Sequence, residues 1–354
     1  MDFLSALTGQ LRLHSRMQPR DVIKLCYQAA FGGEHLLREP AAAERFFHEE
    51  YAAVAPREAA LYEPLSPTAG RIDLGAWKGR GLPEAWLRRM FLYSVALPQA
   101  GGETFGRYLD AATALIRAGS APFSADEWAQ SLADYRAAGG GAVHHSDAYR
   151  QANAPAYRVV SDRFRPLLPL LEAVARLPEN AGHTHVIALE GRAAAGKTTA
   201  AEALAAVLEA GVVHMDDFFL PPELRTAARL AESGGNVHYE RFAAEVLPHL
   251  AAPEAFRYRR FDCGQMALAE ERRVIAAPYR IVEGCYSCHP VFGDYAALRA
   301  FYHVAPDEQR RRILRRGGEE SLQAFLTRWI PMEEQYFAAF AVEEQAALTL
   351  RSDD

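Results

Sequence analysis

The sequence predicts an α/β chain in two parts: a mostly α-helical N-terminal domain, then a doubly wound parallel sheet flanked by helices. Three observations carry this expectation. At 354 residues the chain is longer than one hydrophobic core ordinarily organises. A turn-rich stretch, Pro178-Glu179-Asn180-Ala181-Gly182, interrupts the helical pattern, so the boundary is expected there, with domains over 1–178 and 183–354. Beyond it, short apolar or β-branched runs alternate with helical stretches, the pattern of βαβ units.

From Gln18 to about Leu177 the chain is rich in Ala, Leu, Arg and Glu, with apolar residues at helical spacing. Val22, Ile23, Leu25 and Cys26 are one such group, and Leu87, Met90 and Phe91 another. Pro19 with Asp21 reads as a helix start, while Gly32-Gly33 and Gly139-Gly140-Gly141 read as breaks. In the second half the apolar run ending at Leu189 is a strand and a helix opens at Lys197. Gly211–Met215, Phe256–Arg260, Arg280–Glu283 and Phe301–Val304 are further strands. Helices are expected over Tyr239–Leu250, from Asp307, and from Ser321.

Half of the residues are hydrophobic, 24% are charged, and the net charge is -6. Such a balance suits a globular chain and argues against nucleic acid as the main partner. Met1–Gln10 lacks a basic n-region and a long h-region, and no run reaches the apolar length of a membrane span. Four cysteines are too few for a disulfide scaffold, so free thiols in a reducing cytoplasm are expected.

One motif carries chemistry. Gly191-Arg192-Ala193-Ala194-Ala195-Gly196-Lys197-Thr198 matches G-x-x-x-x-G-K-[ST] at each fixed position, between an apolar strand and an Ala-rich helix. Backbone N–H groups of such a loop converge with the helix N-terminus on one anion site, to which the following Thr199 also belongs. Glycine at 191 and 196 lets the backbone turn tightly and approach phosphate oxygens. Lys197 is expected at the β and γ phosphates of ATP and the Thr198 hydroxyl on Mg²⁺. The fold is therefore read as a P-loop NTPase sheet.

After the first helix, Val212-Val213-His214-Met215-Asp216-Asp217 ends a strand in paired carboxylates at the edge where open α/β sheets bind ligands. Asp216 or Asp217 could take a proton from an acceptor hydroxyl or hold it in line. Ile281-Val282-Glu283-Gly284 puts a second carboxylate at a strand end, suited to Mg²⁺. Asp307 to Gly318 reads as a helix with cationic turns, broken at glycines, able to close over a triphosphate.

These stretches resemble the uridine kinase branch of the phosphoribulokinase and uridine kinase superfamily. The resemblance runs from about Thr184 to the C-terminus. It rests on an ordered set: GRAAAGKTT, MDDFFLP, GGNVHYERFAAEVLPHL, RRFDC, VEGCYSCHP and the arginine-rich helix. It implies ATP-dependent phosphorylation of a hydroxyl, with Lys197, Asp216, Arg312 and Arg315 in catalysis and Arg316 a neighbouring lid candidate. It further implies acceptor contacts from Asp216, Asp217, Asn236, His238, Arg241 and Asp262. Tyr239 and Arg241 stand where a Pro-Asp-Ala-Phe-like run is expected. A nucleoside of uridine or cytidine type is the leading acceptor, with pantothenate, sugar phosphates and glycerate open. The expected partner is thus a small hydroxyl compound, without nucleic acid or membrane, and self-association is left open.

Cys285-Tyr286-Ser287-Cys288-His289 fits C-x-x-C-H, the c-type haem attachment pattern, but nothing directs export. Cys263, Cys285, Cys288 and His289 would make a zinc ligand set, whereas buried thiols near the acceptor pocket are the plainer reading. In the first half, polar clusters around Asp21, Gly32–His35 and Val143–Arg150 interrupt apolar helices. His35, His145 and Arg158 are the candidates there for binding anions or moving protons, against a bland reading of caps and buried hydrogen bonds. The alternative to a kinase is an ATP-dependent switch in which the loop domain controls partner binding by the helical one. A bifunctional enzyme with a second site around His35 and His145 is a third reading.

Overall fold

The computed structural model describes residues 2–33, 40–178 and 182–351. It divides into two compact units, Met1–Arg165 and Pro166–Asp354.

The first unit runs α1 (Phe3–Leu13), α2 (Pro19–Phe31), α3 (Pro40–Ala53), β1 (Tyr62–Pro64), β2 (Ala69–Asp73), α4 (Leu74–Gly79), α5 (Glu84–Ala96), α6 (Gly101–Arg117), α7 (Ala125–Ala137), α8 (Asp147–Asn153) and β3 (Tyr157–Ser161). Local chemistry sets several boundaries. Asp21 accepts the Gln18 N–H and Pro19 opens α2, while Ser124 and Glu127 form a capping box on α7. The helical expectation holds with one addition. An antiparallel sheet of order β1-β2-β3 pairs segments almost ninety residues apart, which no local pattern reveals. Its core joins α1, α2, α6 and α7, with Trp128 and Leu25 inside.

Polar groups in that core are hydrogen-bonded to one another. The buried Arg71 reaches Gln10, Glu63 and Gln28 and lies 4.3 Å over the Tyr157 ring. His145 bridges Asp21 at 3.0 Å and the Tyr157 hydroxyl at 2.6 Å. Burial pushes its imidazole down to about 4, the Asp21 contact only partly opposing it, so the ring is neutral near pH 7 and serves this network. Arg158 is buried and ion-paired with Glu50. His35 lies outside the described residues.

The second unit contains α9 (Leu168–Ala175), β4 (His185–Gly191), α10 (Lys197–Leu208), β5 (Gly211–His214), α11 (Ala227–Ala231), α12 (Tyr239–Glu245), α13 (Leu247–Leu250), β6 (Phe256–Asp262), β7 (Ala267–Val274), β8 (Tyr279–Glu283), β9 (Leu298–His303), α14 (Pro306–Ala324), α15 (Ile330–Phe340) and β10 (Leu348–Arg351). Its five-stranded sheet has the order β10-β9-β4-β8-β5, parallel throughout. Strand β4 is central and buried on both faces, as helix-covered parallel strands are. Among the described residues, no helix is long and apolar enough to cross a membrane.

Three expectations change. The Phe256–Arg260 strand does not join the parallel sheet; it pairs with β7 in an antiparallel hairpin. The Tyr239–Leu250 helix breaks at Val246, just before Pro248, which cannot donate to a continuing ladder. The helix from Ser321 is instead the end of α14, a π-helical stretch Phe325–Trp329, and α15. The predicted glycine break is present inside α14, where Gly318 takes φ 74°.

Candidate active site

Sheet register brings the site together. Glu283 closes β8, opposite Leu189 on β4 and His214 on β5, so the G-x-x-x-x-G-K-T loop, Glu283 and the Met215–Phe218 turn all emerge at one carboxyl edge. Helix α10 starts at Lys197, directly behind Gly196.

The loop's two glycines are required for different reasons. Gly191 has φ 137° and lies against β9: a Cβ there would sit 2.3 Å from the Tyr302 carbonyl oxygen. Gly196 has open space around it, and its φ of 97° is what demands glycine. The crowding at Gly191 is therefore strand packing, where the sequence suggested approach to phosphate.

Lys197 is buried and donates to the carbonyls of Gly191, at 2.7 Å, and Arg192, at 2.9 Å. The Thr198 hydroxyl lies 3.2 Å from both Glu283 carboxylate oxygens, and His214 Nδ1 is 2.6 Å from one of them. A hydroxyl and a carboxylate side by side below an anion-binding loop fit Mg²⁺, which takes few protein ligands and keeps waters and phosphates for the rest. His214, which sequence reasoning passed over, orients the carboxylate from its other side.

A cavity of about 790 Å³ opens over the loop. Ala193, Ala194, Gly196, Lys197, Thr198 and Thr199 line one side. Asp216 lines it and is exposed. The surrounding protein pushes the Asp216 carboxyl above the usual carboxylate range, and the nearby Glu283 charge adds to this. Asp217 points the other way: it is buried, accepts from the Tyr258 hydroxyl at 2.8 Å and pairs with Arg272 at 2.8 Å. One carboxylate of the pair faces the cavity and the other anchors the β6–β7 hairpin.

Helix α14 brings Arg312, Arg315 and Arg316 to the cavity. Arg312 bonds Glu308 at 2.6 Å and the loop carbonyl of Ala194 at 3.2 Å. Asn236 lines the cavity too, and its buried side-chain oxygen has no hydrogen-bond partner. His238, Arg241 and Asp262 do not line it. His238 meets Glu240, Arg241 is held by the Asp217 carbonyl and Glu245, and Asp262 caps the turn at Gly264 and Gln265. Phe219, Arg225, Leu230, Cys263, Met266 and Trp329 form that wall instead.

The Arg192 side chain leaves the cavity for Glu334 at 2.7 Å, Glu343 at 2.9 Å and His303 at 3.1 Å. Beside Glu334, the buried Glu333 accepts the Ala193 N–H at 2.9 Å. Helix α15 thus grips the loop twice. No sequence signal pointed to Glu333, because two adjacent glutamates on a late helix resemble a solvated face. Burial raises its carboxyl to about 7, with Lys197 and the Ala193 N–H partly opposing this and Glu190 and Asp216 reinforcing it. A carboxyl whose folded value lies above its ordinary 4.5 holds its proton longer when folded, so stability falls as pH climbs from about 4.5 to about 7. Glu333→Gln should therefore be more stable than wild type at pH 8, by up to about 3 kcal/mol at ~1.36 kcal/mol per unit, and equal to it near pH 4.5. Urea unfolding at both pH values checks this; a wild type of equal or greater stability at pH 8 contradicts it.

The C-x-x-C-H stretch has a structural role. The buried Glu190 carboxylate accepts the N–H groups of Gly191, Tyr286 and Cys288, each at 2.9 Å, and the Tyr336 hydroxyl at 3.1 Å. His289 stacks on Tyr336 and bonds the Ser233 carbonyl. Among the described residues no group of three or more His, Cys, Asp or Glu is arranged to hold a metal. All four cysteines are free; Cys263 is exposed, contrary to the expectation of buried thiols, while Cys285 is buried.

A parallel sheet with its central strand feeding G-x-x-x-x-G-K-T into a helix defines a P-loop α/β fold. No protein-family model matches the sequence, and no curated protein matches it. Among solved structures, the chain is similar to a possible uridine kinase from Bacillus stearothermophilus, at 18% identity over 53% of this chain and 97% of that one, TM-score 0.42. It is also similar to a provisionally assigned fructose transport system kinase from a Silicibacter species, at 22% identity over 50% and 94%, TM-score 0.42. Shikimate kinase from Bacteroides thetaiotaomicron is similar at 20% identity over 48% and 87%, TM-score 0.26.

Proposed function

We propose that the second unit is a kinase that transfers the γ-phosphoryl group of Mg-ATP to a hydroxyl of a small metabolite. The observation that carries this reading is the convergence on one cavity of Lys197, the Thr198–Glu283 pair, Asp216 and the α14 arginines. A protein that only binds and slowly hydrolyses nucleotide needs the first two; it has no use for a carboxylate facing an enclosed wall beyond the loop.

When bound, Mg-ATP supplies the phosphoryl group, and the ion offsets charge on the phosphate oxygens. The loop's N–H groups cradle those oxygens. Lys197 exchanges its bonds to the Gly191 and Arg192 carbonyls for the β and γ phosphates, and Thr198 and Glu283 hold Mg²⁺. Asp216 accepts the proton of the acceptor hydroxyl or aligns it for attack, and its raised carboxyl range makes it a stronger proton acceptor than a free aspartate. Arg312, Arg315 and Arg316 close over the transferring group as charge develops.

The test is ADP release from Mg-ATP by the purified chain against a panel of hydroxyl compounds. The reading expects at least tenfold stimulation by one class of acceptor, on the modest side of what positioning supplies. Slow release indifferent to every acceptor contradicts it and favours the switch.

A further inference from the structure

We infer that Arg225 is the specificity residue of the acceptor subsite and that the acceptor is an anionic hydroxyl compound, a carboxylate or phosphate on a short hydroxylated carbon body. This inference rests on the kinase reading above and names its substrate class.

Apart from Arg225, the cations of the cavity come from the loop and the C-terminal helical segments: Lys197 and Arg312 touch the loop itself, Arg315 and Arg316 follow Arg312 on α14, and Arg328 is exposed on the Phe325–Trp329 stretch. Arg225 comes from the segment after β5, on the wall made by Phe219, Leu230, Cys263 and Met266. Asp216 lines the same cavity.

Arg225 is held in place and left open. Its backbone N–H bonds the Pro222 carbonyl at 3.1 Å, closing the short Pro222–Leu224 turn. Its Nε donates to the Leu220 carbonyl at 2.8 Å. One edge of the guanidinium is thus spent on positioning, and the two terminal nitrogens remain for a planar, bidentate partner.

Neighbouring arginines do not share this state. Arg229 pairs with Glu240, Arg241 with Glu245, and Arg272 with Asp217. Among the described residues no carboxylate pairs with Arg225. A half-buried guanidinium that lines the cavity without being ion-paired to a described carboxylate is suited to an anion that arrives with the ligand. A neutral nucleoside would leave it unanswered.

The second feature is Asn236, 5% exposed, whose side-chain oxygen has no partner while it lines the same cavity. A buried acceptor of this kind asks for a donor, which a second hydroxyl on the acceptor provides. Asp216 then serves the hydroxyl that is phosphorylated, Asn236 another, and Arg225 the anionic end.

The experiment compares the full chain with Arg225→Ala and Arg225→Lys, measuring ADP release from Mg-ATP with glycerate, ribose 5-phosphate and uridine as a hydroxy acid, a sugar phosphate and a neutral nucleoside. The expected result is stimulation by an anionic member and not by uridine. For that member Arg225→Ala should raise KM about tenfold or more with kcat within about twofold, and Arg225→Lys should recover part of the loss. Which of glycerate and ribose 5-phosphate responds separates carboxylate from phosphate. Stimulation by uridine with a KM indifferent to Arg225→Ala overturns the inference while leaving the kinase standing. An anionic acceptor whose KM ignores Arg225→Ala overturns the assignment to this residue. Release indifferent to every compound contradicts the kinase reading and this inference together.

Discussion

Lys197→Ala is expected to lower acceptor-dependent ADP release by about 10³-fold or more, about 4 kcal/mol of transition-state stabilisation, with the fold intact. Lys197 is the cation seated inside the loop, where it now bonds only the Gly191 and Arg192 carbonyls. A point charge there is itself buried, so it acts on phosphate oxygens more strongly than a cation at an exposed surface does. The Gly191 and Arg192 carbonyls lose their donor, so the variant is expected to be folded but somewhat less stable. Turnover against acceptor, with thermal unfolding as the fold control, makes the measurement. Unchanged turnover in a folded variant would remove the loop from the mechanism.

Asp216→Asn should lower kcat by roughly 10²–10⁴-fold, the range for losing a positioned general base, while the KM for ATP stays within about twofold. The carboxylate is open to the cavity and not committed to another side chain, unlike Asp217, which Tyr258 and Arg272 hold. The surrounding protein and the Glu283 charge raise its protonation range. The ionised form is the proton acceptor, so kcat should fall as pH drops through that raised range, and this acid limb should vanish in the Asn variant. Asp217→Asn should instead lower stability, by loosening the β6–β7 hairpin. Equal kcat losses in the two variants would contradict the division of roles.

What the sequence made legible follows from how local each signal is. The loop, its strand and its helix occupy adjacent residues and obey a spacing rule, and Thr198 and Glu283 do meet, 85 residues apart, because the loop and helix after β4 and the end of β8 lie at one edge of the parallel sheet. Asp216 and Asp217 are identical in a sequence scan; which one faces the cavity is settled only by Tyr258 on the distant β6. Glu333 and Arg225 were invisible for a similar reason. Neither lies in a motif, and each gains meaning from what it faces: a loop N–H for Glu333, and for Arg225 the cavity over the loop. His238, Arg241 and Asp262 carried the right polarity but are engaged by close neighbours and do not line the cavity. In the first unit, the β1-β2-β3 sheet escaped because β2 and β3 pair across the whole stretch from α4 to α8.

The central claim is that the γ-phosphoryl group moves to a hydroxyl and not to water. Its most direct test is the fate of γ-labelled ATP under single-turnover conditions with Mg²⁺ and an acceptor that stimulates ADP release. The kinase predicts label on the organic acceptor, stoichiometric with ADP, and lost in Lys197→Ala. Label appearing as inorganic phosphate, at a rate indifferent to acceptor, would contradict it.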